Sequence, residues 1–181
     1  MQLLPVEKHS VKINNTIIKT VFPGHNFHAE NWIKEIKNIG DKMQRNTNLK
    51  CAMTGFTDLL HNPLFDSLKT FALEVAEMHE MHRPDELHAE VDELWGAVYK
   101  QNDYADNHAH YPSAFSFVYY LKSDPYSAPL KFADSENNFS IPALPGTFTL
   151  FPGYLFHYVP QHNKQTERII IAGNIITRKK R

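Results

Sequence analysis

The sequence predicts an α+β domain in which helices near the N-terminus cover one side of an antiparallel sandwich or barrel. Three observations predict it. Two segments of the first half carry apolar residues at helical spacing. The second half is a succession of short runs rich in Val, Ile, Phe, Tyr and Thr, as strands are. No repeat, low-complexity run or Gly/Ser-rich linker divides the chain. Helices first and strands afterwards is the order of an α+β domain.

The elements follow in order. Residues 11–23 place an Asn14-Asn15 turn between β-branched runs, which predicts a hairpin or strand pair. Residues 25–40 carry Phe27, Trp32, Ile33, Ile36 and Ile39 at helical spacing and stop on Gly40. Asn62-Pro63 reads as an N-cap followed by proline at the first helical position. The helix it opens runs to residue 82, with Leu64, Leu68, Phe71, Ala72, Val75 and Met78 on one face and Pro84 beyond its end. Strand-like runs then occupy 90–101, 113–121, 129–133, 146–159 and 167–177. One domain results: a strand pair and supporting helices at 1–87, a strand core at 88–176, and a solvated basic tail at 177–181.

Composition narrows the class. The chain has 181 residues, 42% hydrophobic and 22% charged, which suits one globular domain. A net charge of −1 supplies no field to gather a polyanion, which argues against nucleic acid. No window has the roughly 20 apolar residues of a membrane span, and no secretory leader is recognised. The single cysteine, Cys51, excludes an internal disulfide and fits a reducing compartment, so a cytoplasmic protein is expected. Histidines number 11, and neutral imidazole is the commonest nitrogen ligand for metals.

Three stretches could carry chemistry. In DNHAHYP at 106–112, His108 and His110 lie two apart, so an extended segment projects both from one face toward a single ion. Two ordinary surface histidines are the alternative. His157 sits on the apolar run FPGYLFHYVP, where a lone histidine can equally be a core or rim residue. Arg168 opens RIIIAGNII, eleven residues after His157. It stands exposed at a strand end, pairs with Glu167, or reaches into the barrel near a metal to grip a carboxylate in two-pronged fashion. His79, His82 and His88 form either a second cluster or a solvated face. FSF at 115–117 and FTLF at 148–151 read as barrel core flanking the metal, and 101–107 and 122–129 as loops at the site mouth.

Taken in order, Trp95, His108-x-His110 with Pro112, Ser116, Tyr119-Tyr120-Leu121, Leu130 to Phe132 with Asp134, Gly146, Phe151-Pro152, His157, and Arg168 with Asn174 resemble a known family. They resemble the 2-oxoglutarate/Fe(II) oxygenases of the prolyl-hydroxylase-like group, over about 80 residues. The resemblance implies an antiparallel double-stranded β-helix, or jelly roll. It implies Fe(II) held by His108, His110 and His157, with 2-oxoglutarate and dioxygen at the open positions. It also implies that Arg168 and Tyr120 bind the distal carboxylate, with Ser116 and Asn174 also in the co-substrate site. The implied reaction hydroxylates a small molecule or protein side chain and releases succinate and carbon dioxide, with no catalytic residue beyond the metal centre. Tyr120, rather than Tyr119, shares a face with Ser116 and Val118 by alternation.

The usual second ligand of that group is Asp or Glu. Here it is His110, a trait shared with a subgroup, and Asp134 is the reserve ligand. Two other readings compete. A cupin-type metal enzyme without 2-oxoglutarate shares the His-x-His and the later histidine, but it needs a glutamate that 111–123 lacks, and it has no role for Arg168. A non-catalytic β-sandwich binding module would leave the histidines without metal. A homodimer through an uncovered sheet edge is an open expectation.

Overall fold

The computed structural model describes residues 14–39, 47–133 and 139–180. In chain order these form β1 (Ile18–Val21), α1 (His25–Asn38), β2 (Leu49–Lys50), β3 (Ala52–Met53), α2 (Asp66–Glu77), β4 (Leu87–Tyr99) and β5 (Tyr104–His108). Then come β6 (Phe115–Lys122), β7 (Leu130–Phe132), β8 (Ser140–Ile141), β9 (Thr147–Pro152), β10 (His157–Val159) and β11 (Arg168–Lys179). The strands make two antiparallel sheets, a six-stranded β1-β9-β6-β11-β4-β3 and a five-stranded β2-β5-β10-β7-β8. This is the α+β double-stranded β-helix that the sequence predicts.

The six-stranded sheet is covered on both faces, which is why β6 and β11 read as almost unbroken apolar runs. Strand alternation sorts their side chains. Phe115, Phe117, Tyr119, Ile169 and Ile171 point outward and pack with Trp32, Ile36, Leu68 and Val75 of the two helices. Val118, Tyr120, Ile170 and Ala172 point inward, toward Phe132 and Val159 of the smaller sheet. α1 lies so close to β4 that a Cβ on Gly96 would come 2.7 Å from Ile36.

Some boundaries differ from the sequence reading. Asn62 caps its helix as expected, its Oδ1 accepting from Leu64 N at 3.0 Å, but the first turn is a tight 3-10 turn at Pro63–Phe65. α2 then stops at Glu77, so Met78 is exposed and Leu64 partly so. The chain turns there because buried His79 accepts the Met81 N–H on Nδ1 and reaches Thr16 O with Nε2. Phe27 is exposed too, leaving Trp32 and Ile36 as the buried stripe of α1. Residues 11–13 and Gly40 lie outside the described residues, so the expected strand pair is described only at β1, which pairs with β9. The expected basic tail is strand through Lys179, where Arg178 pairs with Glu90. β2 and β3, two residues each, are too short to leave a pattern.

Candidate metal centre

β5 ends on His108 and β10 begins on His157, and antiparallel register sets the two directly opposite each other. His110 follows two residues beyond β5. The three imidazoles converge: a ligand atom from each lies within 4.8 Å of the others, and His108 and His157 ring centres are 4.3 Å apart. His108 Nδ1 lies 2.6 Å from Asp106 O and His157 Nδ1 lies 2.9 Å from Leu155 O. A carbonyl oxygen only accepts, so each ring donates from Nδ1 and its lone pair is left on Nε2, as a metal ligand needs. Burial favours the neutral rings, helped by mutual repulsion, so His157 is held down to about 3 and His110 to about 4. His108 is also lowered by burial, with Asp106 opposing the shift. At neutral pH the trio is therefore three uncharged nitrogen donors, a set that suits a borderline divalent metal such as iron.

Arg168 lies on the adjoining inner face. It is 0% exposed, and none of its three guanidinium nitrogens has a hydrogen-bond partner among the described residues. Its Cζ sits over the Tyr99 ring at 4.5 Å and the Tyr120 ring at 5.3 Å. Glu167, the neighbour it could have paired with, bonds Lys37 at 2.6 Å instead. A buried guanidinium without an anion is costly by several kcal/mol, so an anion entering here would meet an unpaired positive partner. Tyr120 Oη, Thr149 Oγ1 and Trp95 Nε1 are likewise buried without partners. Burial raises the Tyr120 phenol, with Arg168 opposing, so it stays a donor. One narrow cavity of about 30 Å³ is lined by all three histidines, Ser116, Tyr99 and Arg168. The histidines thus fit a metal, and the orphaned donors fit an acid beside it.

The remaining expected residues distribute unevenly. Tyr120 belongs to the inner core behind Arg168, not to the cavity lining itself, whereas Tyr119 points to the helices and bonds His25 Nδ1 at 2.6 Å. Ser116 Oγ donates to Asn174 Oδ1 at 2.7 Å, and Asn174 Nδ2 donates to Glu93 Oε2 at 2.5 Å while lying 3.3 Å from His110 Nδ1. These two residues therefore sit beside His110. Asp134 lies outside the described residues. Of the FSF and FTLF aromatics Phe151 meets the site, 4.7 Å from the His157 ring, and Phe117 borders the cavity; Phe115, Phe117 and Phe148 otherwise pack in the helix-side core because of strand parity. His79 and His82 are buried rather than a solvated face, and they form no metal cluster with His88 among the described residues. The cavity beside His108 and His110 is lined by 109–113, Asp92 and Glu93, while of 101–107 and 122–129 Ala105 borders the inner cavity.

Sequence reasoning missed Glu93 and Tyr99. Their partners are set by the pairing of β4 with β11, where Glu93 stands opposite Asn174 and Tyr99 opposite Arg168. The available signal was the parity of β4 itself, since Glu93, Trp95, Ala97 and Tyr99 share one face.

No family model matches the chain, and no curated protein does. Among solved structures, a Pseudomonas putida prolyl-4-hydroxylase is similar with a TM-score of 0.70 at 14% identity, covering 91% of this chain and 94% of that one. The viral collagen prolyl hydroxylase of Paramecium bursaria Chlorella virus-1, in a 2-oxoglutarate complex, gives 0.64 at 18% identity over 88% and 94%. HygX from Streptomyces hygroscopicus, with nickel, 2-oxoglutarate and hygromycin B bound, gives 0.63 at 12% identity over 89% and 82%. What this chain shares with them is the fold.

Proposed function

We propose that the chain is an Fe(II)- and 2-oxoglutarate-dependent dioxygenase that hydroxylates a small molecule or a protein side chain, releasing succinate and carbon dioxide. The observation that carries this reading is Arg168, a fully buried and unpaired guanidinium in the cavity that the three histidines also line. A cupin-type site has no use for it, and a binding module has no reason to keep it buried.

His108, His110 and His157 would hold the iron, with the first two rings to be set, His108 and His157, already oriented by backbone carbonyls. Bound iron would supply the activation of dioxygen and of the co-substrate's keto acid. Arg168 would take the distal carboxylate in a two-pronged bond, with the Tyr120 hydroxyl donating a third. Ser116 and Asn174 would steady His110 and the metal end of the co-substrate. The apolar walls, Val118, Ile170 and Phe151 among them, exclude water from the site. Among the described residues no helix is long and apolar enough to cross a membrane. A buried single cysteine suits the reducing cytoplasm that we assign to it.

The test is titration under nitrogen. One Fe(II) or Mn(II) should bind per chain, and 2-oxoglutarate should bind the loaded protein. Arg168→Ala should weaken that second step ~100-fold while leaving metal binding in place. Equal 2-oxoglutarate affinity in the variant would overturn the assignment. Succinate release across a metabolite and peptide screen then identifies the substrate.

A further inference from the structure

Beside His108 and His110, on the side where the chain meets solvent, lies a second and larger cavity of about 420 Å³. Asp92 and Glu93 both line it. Successive residues of a regular strand point to opposite faces, so the pair needs an explanation. The β4–β11 register provides it: Asn174 pairs with Glu93 and Ile175 with Val91, which leaves Asp92 as the extra residue of a β-bulge. The bulge interrupts the alternation there, so two neighbouring carboxylates both border this cavity, Asp92 also bordering the adjacent one that Lys69 lines.

Among the described residues the rest of the lining is neutral, with no lysine or arginine. Phe56 and Tyr111 add aromatic surface, and Tyr111 is 84% exposed, far more than a ring with only a packing role. Glu93 bonds Asn174 through Oε2, and among the described residues nothing else pairs with its carboxylate. Asp92 is exposed and makes no ion pair among the described residues. The histidines therefore stand between two spaces of opposite sign: an inner one closed by Arg168 and an outer one edged by Asp92 and Glu93.

We infer that the outer cavity is the substrate site and that it selects an organic cation, an amine or guanidine on a hydrocarbon body. The reading rests on the oxygenase assignment above, which gives the inner cavity to 2-oxoglutarate. The hydrocarbon body lies against Phe56 and Tyr111, where aromatic faces also favour a cation. The charged end meets Glu93 and Asp92, and a dianion is turned away by the same two groups. The sorting by charge keeps a second 2-oxoglutarate from occupying the substrate position.

The test uses the full chain loaded with Mn(II) and saturated with 2-oxoglutarate under nitrogen. The probes are cadaverine and pentane-1,5-diol, equal in length and differing in charge, followed by paramagnetic broadening of their proton NMR lines. Cadaverine should reach a given broadening at a concentration ~10-fold lower than the diol. In Asp92→Asn and Glu93→Gln the ratio should fall, and in the double variant it should approach ~1. A ratio, taken within each sample, is unaffected by any loss of metal or of folded protein. Equal broadening of the two probes in the wild type, or an unchanged ratio in the double variant, overturns the inference. Failure to bind Mn(II) or 2-oxoglutarate, read beforehand from the free Mn(II) EPR signal and from titration, sinks the oxygenase reading itself and this one with it.

Discussion

Tyr119 and Tyr120 are neighbours on one strand and live in different kinds of interior. Tyr119 faces the helices, where Trp32, Phe22 and Phe148 fill the space and its hydroxyl is bonded to His25. Tyr120 faces the smaller sheet, where its hydroxyl, the Arg168 guanidinium, Thr149 Oγ1 and Trp95 Nε1 have no hydrogen-bond partner among the described residues. The outer core is finished by folding alone. The inner core keeps polar groups that its own described residues do not satisfy, the pattern expected where local consistency yields to a site.

That difference can be broken from either side. The largest stability effect belongs to the outer core: Trp32→Ala should cost about 3–5 kcal/mol in chemical denaturation and leave 2-oxoglutarate affinity unchanged in the molecules that remain folded. In the inner core the sign reverses. Arg168→Met should raise the stability of the metal-free protein by about 1–4 kcal/mol while abolishing 2-oxoglutarate binding; a loss of stability would show that the charge already has a partner. Next comes pH. The unfolded His157 titrates near 6.5 but the folded one is held to about 3, so below 6.5 the unfolded chain takes up a proton that the native state refuses. Stability of the metal-free protein should fall as pH drops from 6.5, this residue contributing roughly 1.4 kcal/mol per pH unit, and His157→Leu should flatten the fall. The smallest effects are the phenols. Tyr119→Phe should cost about 1 kcal/mol and leave co-substrate binding alone. Tyr120→Phe should be neutral in stability and weaken 2-oxoglutarate several-fold, by about 1 kcal/mol.

How much of this is legible before folding depends on how local each signal is. The long strands announce themselves because β6 and β11 are buried on two faces, and their runs of Phe, Val, Tyr and Ile have no other economical use. The helix cap at Asn62 is legible because its bond spans two residues. His108 and His110 are visible as a pair two apart, and parity alone separates Tyr120 from Tyr119. The end of α2 is not legible, since it depends on His79 reaching Thr16, 63 residues away. Glu93 is hidden for the same reason. Nothing near it in sequence reveals Asn174, 81 positions on, or the bulge at Asp92. Arg168 was open between three environments until the sandwich closed over it and Lys37 drew Glu167 aside.

β11 carries Arg168 at one end and Asn174 six residues later on the same face. Six is an even number, and that parity is what the site depends on. Inserting or deleting a single residue between them would rotate one of the two into the helix-side core, dismantling one end of the site while the strand's composition stayed apolar throughout. Relatives of this chain should therefore tolerate exchanges between Ile and Val at 169–171, and tolerate length changes between Arg168 and Asn174 not at all.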